Sequence, residues 1–161
     1  NFKIGDTLTE GEALNFKGIP SFSPEHFRYV NNADPMKSKQ LYKGLDQLMD
    51  EGVAQLFTMD MNGRRIVGTV GALQYEVIQY RLEHEYGAKC TYENISVHKA
   101  CWVQPEDPKN DEFKEFKRVK QRYLAKDKQG KLVFLADSAF TIQMTQSKYP
   151  TVKLHFTSEF E

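Results

Sequence analysis

Apolar and polar positions along the 161-residue chain change period several times, and each change predicts an element. Over residues 25–30 polar and apolar side chains alternate, with Phe27 and Tyr29 on one face, which is the period of a strand. Asp34-Pro35 then marks a helix start, because Asp accepts a hydrogen bond from an orphan amide and Pro loses no useful donor at the first position. Leu41, Leu45 and Leu48 recur at helical spacing, Met49 widens the stripe, and Gly52 ends it. Residues 54–60 and 64–70 predict two strands joined at Met61-Asn62-Gly63, where Asn-Gly offers the positive φ values of a tight hairpin. Residues 72–86 predict a second helix with Leu73, Val77 and Tyr80 as its buried stripe, Ile78 and Leu82 beside it, and Gly87 at the C-cap. Residues 89–93 return as a strand. The order over 25–93 is β-α-β-β-α-β, a ferredoxin-like unit.

The rest of the chain predicts a second, partial copy. Residues 95–103 read as a strand, and Glu106-Asp107-Pro108 opens a helix with acids at its positive end. Phe113, Phe116, Val119 and Tyr123 form the expected buried stripe of that helix, which puts Lys114, Arg118 and Arg122 on the exposed side. Residues 131–136 predict a strand, residues 138–149 a helix with Phe140 and Met144 inward, and Val152, Leu154 and Phe156 a last strand. The fold class is therefore α+β: a ferredoxin-like unit over 25–93 and a second α/β half over 95–157, sharing one core because Glu93-Asn94 is too short for a flexible linker. Residues 1–24 are expected to be the end of a β-barrel domain and a connector. Phe2, Ile4, Leu8 and Leu14 are too few to close a core alone, so the body of that domain is expected upstream.

Composition changes this picture little. The chain is 40% hydrophobic and 27% charged, a globular balance, and its longest apolar runs, such as residues 132–136, fall far short of the ~20 residues that span a bilayer. It opens on Asn1 with no basic stretch followed by an apolar run, so the expectation is a processed start or a fragment rather than a signal peptide. The 22 basic and 22 acidic residues cancel, but residues 117–131 hold seven basic groups against Asp127 alone. That local excess can attract phosphate or can simply be a solvated surface. Cys90 and Cys101 lie eleven apart outside any C-x-x-C, and His26, His84, His98 and His155 are scattered, so no zinc site is assigned. Two cysteines are too few for a disulfide scaffold, which points to a reducing cytoplasm.

Signatures of catalysis are missing. Neither G-x-x-x-x-G-K-[ST], G-x-G-x-x-G nor G-x-S-x-G occurs. Gly68-Thr69-Val70-Gly71 stands between a strand and a helix, where close packing is a better account than phosphate binding. Asp46, Asp50, Glu51, Glu83 and Glu85 sit on helix exteriors as solvated charge. A ferredoxin-like sheet can also read RNA through strand aromatics, but the required K/R-G-F/Y-G/A-F-V pattern is absent, and Phe57, Tyr92 and Phe134 fit a core. No catalytic, cofactor-binding or metal-ligating residue is assigned.

One stretch carries a resemblance. Phe16-Lys17-Gly18-Ile19-Pro20-Ser21-Phe22-Ser23-Pro24-Glu25-His26-Phe27-Arg28, with Asp34-Pro35, Lys39-Gln40-Leu41, Lys43-Gly44-Leu45 and Glu51-Gly52, resembles the class II bacterial release factors, a family of translational GTPases. Ile4-Gly5-Asp6-Thr7-Leu8 is similar to the end of the β-barrel of such GTPases, Gly71-Ala72-Leu73-Gln74 with Glu76-Val77 and Arg81-Leu82 parallels the ferredoxin-like third domain of the elongation factor G group, and Trp102-Val103, Glu112-Phe113-Lys114 and Tyr149-Pro150 continue the release-factor pattern. The resemblance implies a cytoplasmic, non-catalytic carboxy-terminal part of a ribosome-dependent GTPase that ejects class I release factors after peptide release. It implies that GTP and GDP are bound by a missing amino-terminal domain, so this fragment takes no cofactor. The implied partners are the ribosome, through rRNA and small-subunit protein, and functionally the class I release factors; neither membrane nor DNA is implied. Lys117, Arg118, Lys120, Arg122, Lys126, Lys128 and Lys131 are the candidate ribosome contacts, with Arg64 and Arg65 at the hairpin tip as additions. Two other readings stand beside this one: a fragment of a different translational GTPase, and a self-standing ferredoxin-like regulatory module for a small ligand.

Overall fold

The computed structural model describes residues 23–157, and the expected barrel strands before them lie outside the described residues. Strand β1 (His26–Asn32) leads through a short 3₁₀ turn (Pro35–Lys37) into α1 (Ser38–Asp50). The Asp34 carboxylate accepts from the Met36 amide at 3.1 Å, and Pro35 occupies the first position of that turn. Strands β2 (Gln55–Met59) and β3 (Arg65–Thr69), helix α2 (Gln74–Tyr86) and strand β4 (Cys90–Asn94) complete the first unit. The second unit runs β5 (Lys99–Pro105), α3 (Asp111–Val119), a 3₁₀ turn (Gln121–Tyr123), β6 (Leu124–Lys126), β7 (Leu132–Ala136), α4 (Ala139–Lys148) and β8 (Val152–His155).

All eight strands form one antiparallel sheet in the order β4-β1-β3-β2-β6-β7-β5-β8. Each half has the ferredoxin-like order, and the halves meet edge to edge through β2 and β6, with Thr58 opposite Lys126 and Met59 opposite Ala125. The second copy is therefore complete rather than partial. Its missing strand is Leu124–Lys126, three residues inside the basic run, too short and too charged to show a strand period.

Two apolar clusters lie between the sheet and the helices, one in each half, around Leu41, Leu45, Ile78 and Leu82 and around Phe113, Phe116, Phe134 and Tyr149. A third fills the opposite face of the sheet and draws on both halves: Phe27, Phe57 and Ile66 from the first, Trp102, Val133 and Leu135 from the second. Phe57 on β2 and Trp102 on β5, with two strands between them, bring their ring centroids to 5.8 Å.

Three helix faces differ from the expected ones. On α2 the buried residues are Tyr75, Ile78 and Leu82, while Leu73 (73% exposed), Val77 (48%) and Tyr80 (62%) face outward. The rotation follows from Tyr75, whose hydroxyl donates toward the Val67 and His26 carbonyls at 2.6 and 2.9 Å and whose ring fills the first-half cluster. Gly44 lets α1 approach this face so closely that a Cβ there would lie 2.7 Å from Leu82 Cδ2 and 2.8 Å from Tyr86 Cδ2. On α4, Ile142 and Thr145 are buried, and Phe140 and Met144 are 68% and 54% exposed. Val119 at the end of α3 is 40% exposed, since the helix has left the sheet by that point. The β2–β3 connection is also wider than a two-residue turn: Met59 and Arg64 close a four-residue loop, in which Gly63 (φ 72°) takes the left-handed conformation.

Candidate functional site

The nine cations singled out in the sequence separate into three groups. Lys117 and Arg118 lie in the last turn of α3, and Lys120 and Arg122 follow through the 3₁₀ turn. Cations are favoured at this negative end of the helix dipole. Asn110 caps the other end, accepting from the Phe113 amide at 2.7 Å. The Lys117 ammonium stands over the Phe113 ring, 4.7 Å from its centroid, that of Lys120 lies 5.9 Å from the Phe134 centroid, and the Arg122 guanidinium lies 5.8 Å from that of Tyr123. Among the described residues no ion pair engages any of these four.

Lys126, Lys128 and Lys131 occupy the β6–β7 hairpin and serve the fold. Lys126 pairs with Asp60 at 3.4 Å. Lys128 reaches across the seam to the carboxylate of Asp50 on α1 and donates to the Asp46 carbonyl at 3.2 Å. Asp127 fixes the hairpin, its Oδ1 accepting from the Gln129 and Lys131 amides, each at 2.9 Å, and its Oδ2 from the Trp102 indole at 2.9 Å. The single acid of the basic run is thus the organiser of its turn.

Arg64 and Arg65 are not at the hairpin tip. Arg65 opens β3 and Arg64 immediately precedes it, and the two side chains stack on Tyr42 of α1 and on Tyr29 respectively. Arg64 donates to Glu93 Oε1 at 2.8 Å and Asn31 Oδ1 at 3.1 Å and lies 3.6 Å over the Tyr29 ring. Hydrogen bonding from Arg64 holds the Glu93 carboxyl below the usual carboxylate range. Arg65 stacks on Tyr42 of α1, its guanidinium carbon 3.9 Å from the ring centroid.

Other charged side chains are similarly occupied. Arg81 on α2 clamps Glu85 and Glu51, at 2.8 and 2.7 Å, and lowers the Glu85 carboxyl below its ordinary range. Cys101 and Cys90 are buried thiols; burial pushes the first up to about 12 and raises the second, which makes both poor nucleophiles. At the Gly68–Gly71 turn a Cβ on Gly68 would lie 3.0 Å from Pro24 and 3.1 Å from Phe57, and the Gly71 amide already donates to Gln74 Oε1 at 2.8 Å. Close packing accounts for those glycines.

A cleft the sequence pattern did not single out opens where residues 95–98 cross the sheet. Its volume is about 270 Å³, below the ~300–1,000 Å³ usual for small-molecule sites. Buried Met59 and Leu135, half-buried Tyr29 and Tyr123, and exposed Arg122 and Asp137 are among its lining residues. Arg122 therefore belongs to both the basic ridge and the cleft. The only sequence signal for this place is the Arg122-Tyr123 pair, whose neighbours come from β1, β7 and the inter-unit crossing and have no common spacing.

The full extent of the match agrees with this architecture. Residues 16–146 fit the family model described as class II release factor RF3, C-terminal domain. That span takes in the first unit, the seam, the basic ridge and most of the second unit. The chain belongs to the family of class II release factor RF3 C-terminal domains.

Proposed function

We propose that this chain is the ribosome-facing, non-catalytic module of a cytoplasmic GTPase that drives class I release factors off the ribosome after peptide release. The parent's GTP and GDP are bound outside this chain, and this module binds no cofactor. The observation that carries the reading is the ridge of Lys117, Arg118, Lys120 and Arg122, four cations close together at the end of α3 and without carboxylate partners among the described residues, whereas Lys126, Lys128 and Arg64 pair with carboxylates of the fold. Unpaired cations in a row fit rRNA phosphates, which are contacted by Arg and Lys in a sequence-independent way and fix orientation. A single sheet with apolar clusters on both faces supplies a stiff body that can present this ridge when the rest of the factor changes state. Membership of a release-factor family supports the same reading.

Reversing Lys117, Arg118 and Arg122 together to Glu in the full factor should weaken ribosome association by at least about tenfold, and should reduce the slope of log K against log salt by about three, one per lost phosphate contact. Pelleting with ribosomes across a salt series measures both. An unchanged slope excludes the ridge as the contact surface.

A further inference from the structure

We infer that residues 16–22 of this chain run back across the face of the sheet opposite the helices and seat Ile19 in the cleft beside residues 95–98. The occupant of the cleft is thus the module's own entry segment. The seat stands whether or not the ridge meets the ribosome.

The first described residues set the direction of entry. The β1–β3 ladder puts His26 opposite Thr69, and the Glu25 amide donates to the Thr69 carbonyl at 2.8 Å. A straight strand in that register would carry Pro24 on to the level of Gly71. Buried Pro24 instead lies over Gly68, where a Cβ would meet it at 3.0 Å and the Phe57 ring at 3.1 Å. Phe57 belongs to the third cluster, so the chain before Glu25 has turned over that face. Followed upstream, it heads from the Gly71 end of β3 toward the Arg64 end.

The lengths agree. From Gly68 to Arg64, whose carbonyl accepts from the Met59 amide, is four residues of strand, about 13 Å. From Pro24 back to Ile19 is five residues, about 15 Å in a polyproline-type chain. Pro20 and Pro24 favour that conformation, because the residue before a proline is pushed out of the helical region. At three residues per turn, Phe16, Ile19 and Phe22 share one edge. The cleft accepts such an edge: Tyr29, Met59 and Leu135 of the sheet and Ile95 and Val97 of the crossing line it, and all belong to or pack against the third cluster. Its volume, below the range of small-molecule sites, has the scale of a side chain rather than of a cofactor. The family match begins at residue 16, which places this segment with the module.

A double-mutant cycle in the 161-residue chain tests the seat, with Ile19→Ala, Val97→Ala and the two combined. Each single change should raise the unfolding constant in urea at least about fivefold, and the pair about as much as the larger single change, because both remove one contact. Hydrogen exchange read by mass spectrometry locates the effect. Amides of residues 95–98 should exchange at least about fivefold faster in Ile19→Ala, with those of α3 unchanged. Lys17→Ala, in the same segment but off the apolar edge, should leave both readouts as they are. Circular dichroism verifies each fold, and Ile95→Ala closes the cycle if Val97→Ala proves unstable. Effects that simply multiply overturn the seat, as does exchange at 95–98 indifferent to Ile19→Ala. Protection at 95–98 that grows with protein concentration assigns the cleft to a second copy, and protection that comes only with added ribosomes assigns it to a ribosomal partner; either overturns the seat. None of these failures touches the ridge, which the salt series decides separately.

Discussion

Residues 26–94 and 99–155 pass through the same order of six elements, yet their helices behave differently. In the first half α1 packs directly against α2 through Gly44, and Arg81 of α2, paired with Glu85 on its own helix, reaches across to Glu51 at the end of α1. In the second half α3 and α4 each dock on the sheet and make little contact with one another. The carboxylate of Glu112 on α3 is taken by the Thr151 amide at 2.7 Å and by its hydroxyl. With no acidic helix beside it, the end of α3 leaves Lys117, Arg118, Lys120 and Arg122 outward. One topology thus yields a half whose helix pair is tied by an ion-pair network and a half whose first helix ends in a row of cations without carboxylate partners among the described residues.

The comparison breaks most severely at the shared face. Phe57 is fully buried between Phe27 and Trp102, so it belongs to neither half alone. Phe57→Ala removes a ring and leaves a cavity, a change worth about 3–5 kcal/mol. Urea unfolding should show that loss in one cooperative transition, because the cluster shared across this face couples the two units. Two separate transitions, or a loss of amide protection confined to the first half, would show that the halves stand independently.

Gly44→Ala tests the difference between the helix pairs. The added methyl would lie within 2.9 Å of Leu82 and Tyr86 side-chain atoms, and overpacking of this kind costs about 1–3 kcal/mol. Alanine regains about 0.5–1 kcal/mol of helix propensity, so a net loss of up to about 2.5 kcal/mol is expected in chemical denaturation. A gain would show that α1 and α2 do not sit so close in solution.

Periodicity made the elements of the first half legible, down to the Asp34-Pro35 start and the Leu41, Leu45 and Leu48 stripe. It misplaced the faces of α2 and α4. Both carry apolar residues around most of their circumference, so spacing alone cannot select the buried side. What selects it on α2 is a tertiary fact, the carbonyls of Val67 and His26 waiting for the Tyr75 hydroxyl. The strand Leu124–Lys126 was hidden for a similar reason: its partners are β2 and β7, and three residues carry no readable period. Of the candidate site, the exposure of α3's basic side followed from the positions of Phe113 and Phe116. The separation of Lys126 and Lys128 from Lys117 and Arg118 did not, because Asp60 and Asp50 are 66 and 78 residues away in sequence.

That separation sets the smallest expected effect. Lys128 links the β6–β7 hairpin to Asp50, but its partner is largely exposed, and surface ion pairs contribute about 0–1 kcal/mol. Lys128→Ala should therefore lower stability by less than about 1 kcal/mol at low ionic strength, a difference that added salt screens. Its effect on ribosome association should be far below that of the triple reversal on the ridge, since a lysine already held by Asp50 and the Asp46 carbonyl is not free to neutralise a phosphate. Pelleting the Lys128→Ala and Arg118→Ala factors side by side makes the contrast direct. Equal losses of ribosome binding would mean that the Asp50 pair opens on the ribosome, and the boundary between fold-serving and partner-facing cations would then run through the hairpin rather than before it.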